Sequence, residues 1–342
     1  MRRKVVLKLD KPIFDVYNYD AFILAILAGN SDNYFSWVFS NYILVKANRD
    51  LSKNGDVFLR FADAESIKTE LLSRQFLSWS TLSKLNLNIN EIVRKLIDLE
   101  YYAYFQVDEY YIPHTFSYQR EHFVHDILIY GYDIEKQIYY ISGYNEEFLF
   151  SRKICTFAEF QNALYANKCE KDKVWTDRIR FYKYDHTKQF PLNIKLIKLY
   201  LEDYVRAKST FASYERFNCD KEDVVYGIGV YDVILEHIEQ VKKSRSHQEK
   251  MRNLDFRIFR FLLEYKKVML MRLECISKND IDLGEIFEEY KEECVRSEKT
   301  HGLAMRFELL NDTSILDKIS RNILEMKKYD SIILEKVIGR LS

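Results

Sequence analysis

The hydrophobic pattern of the chain changes near residue 190, and this change limits the folds that are open to it. Residues before about 185 mix strand-like alternation with helical periodicity, whereas residues from about 191 onward follow an almost wholly helical pattern. Pro191 is well placed to open the first of the later helices. A chain of 342 residues is long enough for two domains. We therefore predict an α+β domain over residues 1–188 and an all-α helical bundle over residues 189–342.

Within the first domain, the pattern places helices before an antiparallel sheet. Alternating, aromatic-rich and β-branched segments predict strands at residues 4–9, 101–112, 122–133, 136–145 and 177–185. Apolar or amphipathic segments predict helices at residues 20–29, 35–47, 88–100 and 156–167. Segment 35–47 fits a helix or a strand, and we predict a helix. Asn88 or Asn90 is expected to cap one helix and Thr156 another.

The second domain is predicted to contain five helices. Their periodic segments cover residues 191–209, 226–244, 248–276, 281–299 and 313–340. The most hydrophobic of them, within 248–276, carries several Arg, Lys and Glu residues, so it is too charged to span a bilayer. We predict that it packs on several sides inside the bundle.

Charge and cysteine content argue against several classes of function. Lys+Arg and Asp+Glu both number 52, so net charge favours neither nucleic acid nor an anionic membrane as a partner. The N-terminus alternates apolar and polar residues and is interpreted as a strand rather than a signal peptide. The five cysteines have no C-x-x-C spacing, which predicts reduced thiols in a cytoplasmic protein. No metal site is expected, because His122 and His125 are predicted to face opposite ways at a strand entry. No bound cofactor is expected either, since the sequence has no G-x-x-x-x-G-K-[ST] or G-x-G-x-x-G motif.

The segment from Tyr101 to Tyr144, which includes "EHFVHDILIYGYDIEKQIYYISGY", resembles the family of the butirosin biosynthesis protein BtrH and its relatives in bacterial peptide and aminoglycoside gene clusters. It is more distantly similar to the papain-like peptidases that trim bacteriocin leader peptides. The resemblance implies a papain-like fold for residues 1–188. For the butirosin protein it implies transfer of an acyl group from a carrier-protein thioester to an amine.

His125 matches the family's histidine at the start of the strand that ends in Gly-Tyr-Asp. The family's nucleophilic cysteine is expected near the start of "NYDAFILAIL", where this chain has Asn18, Tyr19 and Asp20. Neither a phenol nor a carboxylate replaces a thiolate with comparable nucleophilicity. Asp20 is also a candidate N-cap for the helix, an interpretation that we favour over catalysis. The third catalytic position falls near Ser142 to Asn145, where only Asn145 is chemically suitable.

Three functions follow from these residues. In the first, the protein is a papain-like pseudoenzyme of natural-product or antibiotic biosynthesis that binds a carrier-bound or peptide intermediate. In the second, it is an active acyltransferase or hydrolase in which His125 acts as general base, with Asp20 or Asn18 orienting it. In the third, the helical domain is a protein–protein docking module on an inert domain. The expected partners are an acyl or peptidyl carrier protein, with its phosphopantetheine arm, or a small peptide or amine.

Overall fold

The computed structural model divides the chain into two compact units. It describes residues 2–31, 33–49, 59–62, 69–166, 178–210, 224–310 and 312–341. Unit 1 comprises Met1–Tyr34 and Lys68–Phe190, and unit 2 comprises Phe35–Ile67 and Pro191–Ser342. The division at residue 190 lies close to the predicted boundary at 188, but residues 35–67 belong to unit 2 rather than to the first domain. Cys169 and Cys219 lie outside the described residues.

The described elements combine helices and strands, which confirms the α+β class. The strands are β1 (Lys4–Val6), β2 (Val45–Asn48), β3 (Arg60–Phe61), β4 (Leu72–Ser78), β5 (Tyr102–Asp108), β6 (Val124–Asp133), β7 (Ile138–Tyr144), β8 (Phe150–Thr156), β9 (Arg178–Tyr184) and β10 (Val224–Tyr226). The helices are α1 (Asn18–Asn30), α2 (Tyr34–Asn41), α3 (Trp79–Lys84), α4 (Ile89–Asp98), α5 (Phe157–Ala166), α6 (Ile194–Val205), α7 (Val230–Lys242), α8 (His247–Asn253), α9 (Arg257–Ser277), α10 (Gly284–Leu309) and α11 (Ser314–Arg340).

Unit 1 is built on an antiparallel sheet of seven strands. Six of them follow the order β4-β9-β5-β6-β7-β8, and β1 pairs with β6. Phe22 of α1 packs on Tyr104, and Phe160 of α5 packs on Phe105. Successive strand residues point to opposite faces, so α1 and α5 cover opposite faces of the sheet. The sheet therefore has a buried core on each side.

Local capping explains where two of these helices begin. The Asn88 side chain accepts a hydrogen bond from the Glu91 backbone N–H at 3.2 Å. Of the two candidates, Asn88 and Asn90, Asn88 is therefore the N-cap of α4. Thr156 and Glu159 form a reciprocal capping box at the start of α5, with bonds of 3.1 and 2.7 Å. The predicted caps Asn88 and Thr156 are confirmed. The segment 35–47, predicted as one helix, contains α2 followed by β2.

The Gly-Tyr-Asp motif at residues 131–133 has a structural role at the end of β6. A Cβ atom on Gly131 would lie 2.6 Å from the Val5 carbonyl oxygen, so only glycine lets β1 pair here. Tyr132 is buried and donates its hydroxyl to Asp98 at 2.6 Å. Asp133 accepts a hydrogen bond from the Lys136 N–H and shapes the following turn. The motif therefore fixes the far end of the strand on which His125 lies.

Unit 2 consists mainly of helices α6–α11, as predicted for the second half of the chain, but it also contains a sheet that the all-α prediction missed. This sheet has the strand order β10-β2-β3. Residues before β3 join the helices through buried hydrogen bonds: Arg272 of α9 donates to the carbonyls of Phe39 and Tyr42. Tyr265, also on α9, donates to the Ile43 carbonyl at 3.0 Å. These bonds explain why the described residues between 35 and 62 belong to unit 2.

A fully buried ion pair lies at the centre of the helices of unit 2. The Lys266 ammonium on α9 contacts the Asp330 carboxylate on α11, and both side chains have no exposed surface. Asp330 also accepts hydrogen bonds from the hydroxyls of Tyr204 at 2.9 Å and Tyr231 at 2.6 Å. The Lys266 ammonium lies 5.3 Å from the ring centroid of Tyr290. Five helices thus contribute to one buried polar cluster.

The variant Asp330→Asn should destabilise the protein by about 3–5 kcal/mol, because it leaves the buried Lys266 ammonium without its counter-charge. Urea unfolding followed by circular dichroism measures this loss. The double variant Lys266→Met/Asp330→Leu removes both charges and should recover much of it. The control Asp232→Asn breaks an exposed pair with Lys327 and should cost at most about 1 kcal/mol. Equal losses of stability in Asp330→Asn and Asp232→Asn would contradict this prediction.

Candidate functional site

His125 lies at the start of β6, next to the loop that joins it to β5. The antiparallel register pairs His125 with Val107, and β5 ends one residue later at Asp108. A single 3₁₀ turn, Glu109–Tyr111, begins the loop. The Glu109 N–H donates to the Phe123 carbonyl at 2.8 Å, so the chain closes back on the start of β6. The carboxyl group of Glu109 is thereby held beside His125.

Glu109 and His125 form a hydrogen-bonded pair. The His125 Nδ1 lies 3.0 Å from Glu109 Oε1, and the two side chains are 28% and 7% exposed. An ionised carboxylate only accepts hydrogen bonds, so Nδ1 donates and the neutral imidazole carries its lone pair on Nε2. The His125 ring stacks on Tyr144 with centroids 5.7 Å apart. A carboxylate that orients an imidazole in this way is found where a histidine acts as a general base.

The charges around His125 shift its pKa. Burial lowers the pKa, but the hydrogen bond to Glu109, the charge of Glu109 and the charge of Asp126 together outweigh burial. Lys153 acts in the opposite direction. The net result is a pKa above the ordinary value of 6.5. His125 therefore holds a proton more strongly in the folded protein than in the unfolded chain.

Lys153 is a buried lysine next to this pair. It lies on β8 opposite Ile141, is 7% exposed, and donates its ammonium to the Tyr144 carbonyl. Burial lowers the pKa of Lys153 to about 8, although the charge of Glu109 opposes that shift. Lysine is rarely buried without a role, because taking an ammonium out of water costs free energy.

The residues at the expected position of the nucleophile lie at the start of α1. The Asn18 side-chain amide donates to the Asp126 carbonyl at 3.2 Å, which brings the first turn of α1 against the residue after His125. Tyr19 stacks on Tyr17 with ring centroids 5.4 Å apart. Asp20 is fully buried in the first turn. Asn18 and Asp20 are thus packed into the structure.

The expectation that Asp20 caps α1 is wrong. Tyr17 occupies the N-cap position, and its own side chain makes no capping hydrogen bond. Asp20 lies three residues later, where its backbone N–H donates to the Tyr17 carbonyl at 3.1 Å. An apolar helix that is buried along most of its length needs less help from a cap, because packing supplies its stability.

Asn145, the suggested third catalytic residue, shapes the turn between β7 and β8. Its side-chain oxygen accepts hydrogen bonds from the N–H groups of Glu147 at 3.0 Å and Leu149 at 2.9 Å. The carboxylate that contacts the imidazole is Glu109 instead. Sequence reasoning missed Glu109 because it considered the strand that follows His125, whereas the partner comes from the end of the preceding strand.

A second histidine–carboxylate pair supports the same loop. His122 Nδ1 lies 2.7 Å from Asp108 Oδ2, and the His122 ring stacks on Tyr110. Asp108 also accepts hydrogen bonds from the N–H groups of Tyr110 and Phe123. Because His122 is 66% exposed and Asp108 mainly binds backbone groups, this pair orders the loop. Among the described residues no group of three or more metal-ligating side chains comes together.

None of the cysteines in the described part of the chain offers a reactive thiolate. Cys155 on β8 lies in the core of unit 1, and burial raises its pKa. In unit 2, burial raises the pKa of Cys294 to about 11 and also raises that of Cys275. A thiol with a raised pKa is a poor nucleophile near neutral pH.

Comparison with known proteins adds no relatives: no protein-family model matches the chain, and a search of curated proteins finds no significant match. Within the described ranges, none of the helices combines the length and the apolar character needed to cross a bilayer.

The variant Glu109→Gln should lower the pKa of His125, because it removes the charge and weakens the hydrogen bond that favour the imidazolium. A folded-state pKa above 6.5 adds stability that is fully present below pH 6.5 and is lost as pH rises through the folded pKa. The variant should lose this contribution to stability at acidic pH. An NMR titration of the imidazole, with unfolding measured at several pH values, checks both effects. Glu135→Gln, at an exposed glutamate of unit 1, should change neither.

The variant Lys153→Met should stabilise the protein at pH 7 by about 1–3 kcal/mol, because it removes a buried charge. The pKa of Lys153 is about 8 when folded, against an ordinary 10.5, so the unfolded chain binds the proton more tightly between these values. Wild-type stability should therefore gain from this residue as pH rises from about 8 to 10.5. Chemical unfolding across that pH range should show that the free energy of unfolding depends less on pH in the variant than in the wild type. A variant less stable than wild type at pH 7 would refute this.

Proposed function

We propose that unit 1 is a papain-like domain of acyl- or peptidyl-transfer type that lacks its nucleophile and binds a carrier-bound or peptide intermediate in secondary-metabolite biosynthesis. One observation carries the proposal: the His125–Glu109 pair lies at the start of β6, the next residue Asp126 contacts the start of α1, and that helix start has no thiol. Asn18, at that start, donates its side-chain amide N–H to the Asp126 carbonyl. The described cysteines lie elsewhere with raised pKa values, so none of them replaces the missing group.

Exposed aromatic rings on the loops that flank β6 and β7 support a binding role. Phe123 is 49% exposed and lies 5.4 Å from the His125 ring, measured between centroids. Phe116 and Phe148 are 41% and 56% exposed, and their ring centroids lie 5.0 Å apart. Phe148 has a φ of 58°, a left-handed conformation that is costly for a phenylalanine. A strained residue that presents an exposed ring fits a surface for the apolar part of a thioester or peptide.

The arrangement of His125 favours a second candidate function, transfer without a protein nucleophile. With Nδ1 bound to Glu109, Nε2 is the atom that accepts a proton from an attacking amine or water. The attacking atom bonds to the thioester carbonyl carbon, the C–S bond breaks, and the thiolate leaves and takes up the proton. Positioned proton transfer of this kind contributes about 10²- to 10⁴-fold. The Glu109 contact is the observation that favours this reaction.

Acetyl-pantetheine, with a simple primary amine as acceptor, tests both functions on the full chain. Isothermal titration calorimetry measures binding, and a thiol-reactive dye measures release of pantetheine. The binding function predicts saturable binding without thiol release above background. His125→Ala should weaken binding by about tenfold, which corresponds to one lost hydrogen bond.

The control His186→Ala changes another histidine of unit 1 and should leave binding intact. Thiol release that His125→Ala and Glu109→Gln both abolish would instead establish the general-base reaction. Failure to bind acetyl-pantetheine, or binding that survives both His125→Ala and Glu109→Gln, would overturn the assignment of this site. Binding that survives both variants would favour the hypothesis that the helical half of the chain is a docking module.

A further inference from the structure

Lys153 binds Tyr144, one partner of His125, and interacts electrostatically with Glu109, the other partner. Its ammonium donates to the carbonyl of Tyr144, and the Tyr144 ring stacks on the His125 ring at 5.7 Å. The Tyr144 hydroxyl donates in turn to the Asp15 carbonyl at 2.9 Å, just before α1. Lys153 thus supports a residue that connects the imidazole to the start of the first helix.

The charge of Lys153 also acts on the other partner of His125. Lys153 and Glu109 attract each other, and Lys153 and His125 repel each other. Glu109 is therefore a buried carboxyl group with two basic residues near it, one on β6 and one on β8. This arrangement fixes a carboxylate more firmly than a single histidine does, because each cation compensates part of its desolvation.

We propose that Lys153 is a positioning residue of the His125–Glu109 pair, which holds Tyr144 through its main-chain carbonyl and shares the charge of Glu109 with His125. An apolar residue at this sheet position would pack in the core without the cost of a buried ammonium. A buried lysine that an apolar residue could replace is a candidate for a role in the site.

The effect of Lys153 on His125 has a defined direction. Glu109 and Asp126 favour the imidazolium, and the positive charge of Lys153 opposes it. Without Lys153, His125 would keep its proton to higher pH and fewer molecules would carry the free Nε2 lone pair. Lys153 itself has a pKa of about 8, so its opposing charge fades above that pH. The groups that set the charge state of His125 are therefore Glu109, Asp126 and Lys153.

The test is an NMR titration of the His125 imidazole in the full-length protein, which needs no ligand. Lys153→Met should raise the pKa of His125 and shift the Tyr144 signals, because Tyr144 loses the hydrogen bond at its main-chain carbonyl. Lys153→Arg keeps the positive charge and should restore the His125 pKa toward wild type. Lys183→Met removes another lysine of the same sheet, which donates to the Leu99 carbonyl at 3.0 Å, and should have no effect.

An unchanged His125 titration in Lys153→Met would overturn the proposal, as would an equal shift in Lys183→Met. A variant that simply unfolds would be recognised by loss of its dispersed spectrum, and Lys153→Gln then carries the test: it removes the charge but keeps a hydrogen-bond donor, and it should raise the His125 pKa. These outcomes do not depend on acetyl-pantetheine. The positioning role and the proposed binding function therefore fail separately.

Discussion

The register between β5 and β6 determines the candidate site. Because His125 pairs with Val107, the residues just beyond the end of β5 come next to the imidazole. A shift of one residue would turn His125 to the other face of the sheet and move Glu109 away from it. The far end of β6 is fixed as well, since Gly131 admits β1 where any side chain would collide with the Val5 carbonyl. The site thus depends on pairing along the whole strand.

Much of the fold follows from local signals in the sequence. Asn88 and the Thr156–Glu159 box are recognisable caps, and the strands β5, β6 and β7 have clear aromatic and β-branched patterns. Strand β4 was not predicted, and β2 was merged into a helix. Their formation depends on distant partners: β4 pairs with β9 about a hundred residues later, and β2 pairs with β10. Pairing of that kind leaves little trace in a local window.

The candidate site was only partly predictable. His125 was identified from a motif, whereas Glu109 was hidden because a strand pattern does not reveal where the strand ends. β5 stops at Asp108, and the 3₁₀ turn then directs Glu109 toward His125. The burial of Lys153 could not be predicted from the sequence either, since an isolated lysine in a strand is normally exposed. Both residues are recognised by burial and by contact, which are properties of the folded chain.

The buried pair of Lys266 and Asp330 restricts how unit 2 can change over evolutionary time. Replacing either residue alone leaves a charge inside the helices, so the two positions are expected to be kept or exchanged together. Tyr204 and Tyr231, which donate to the same carboxylate, would lose their acceptor in such an exchange. Related chains should therefore show linked substitutions at these four positions, which lie on four different helices and far apart in the sequence.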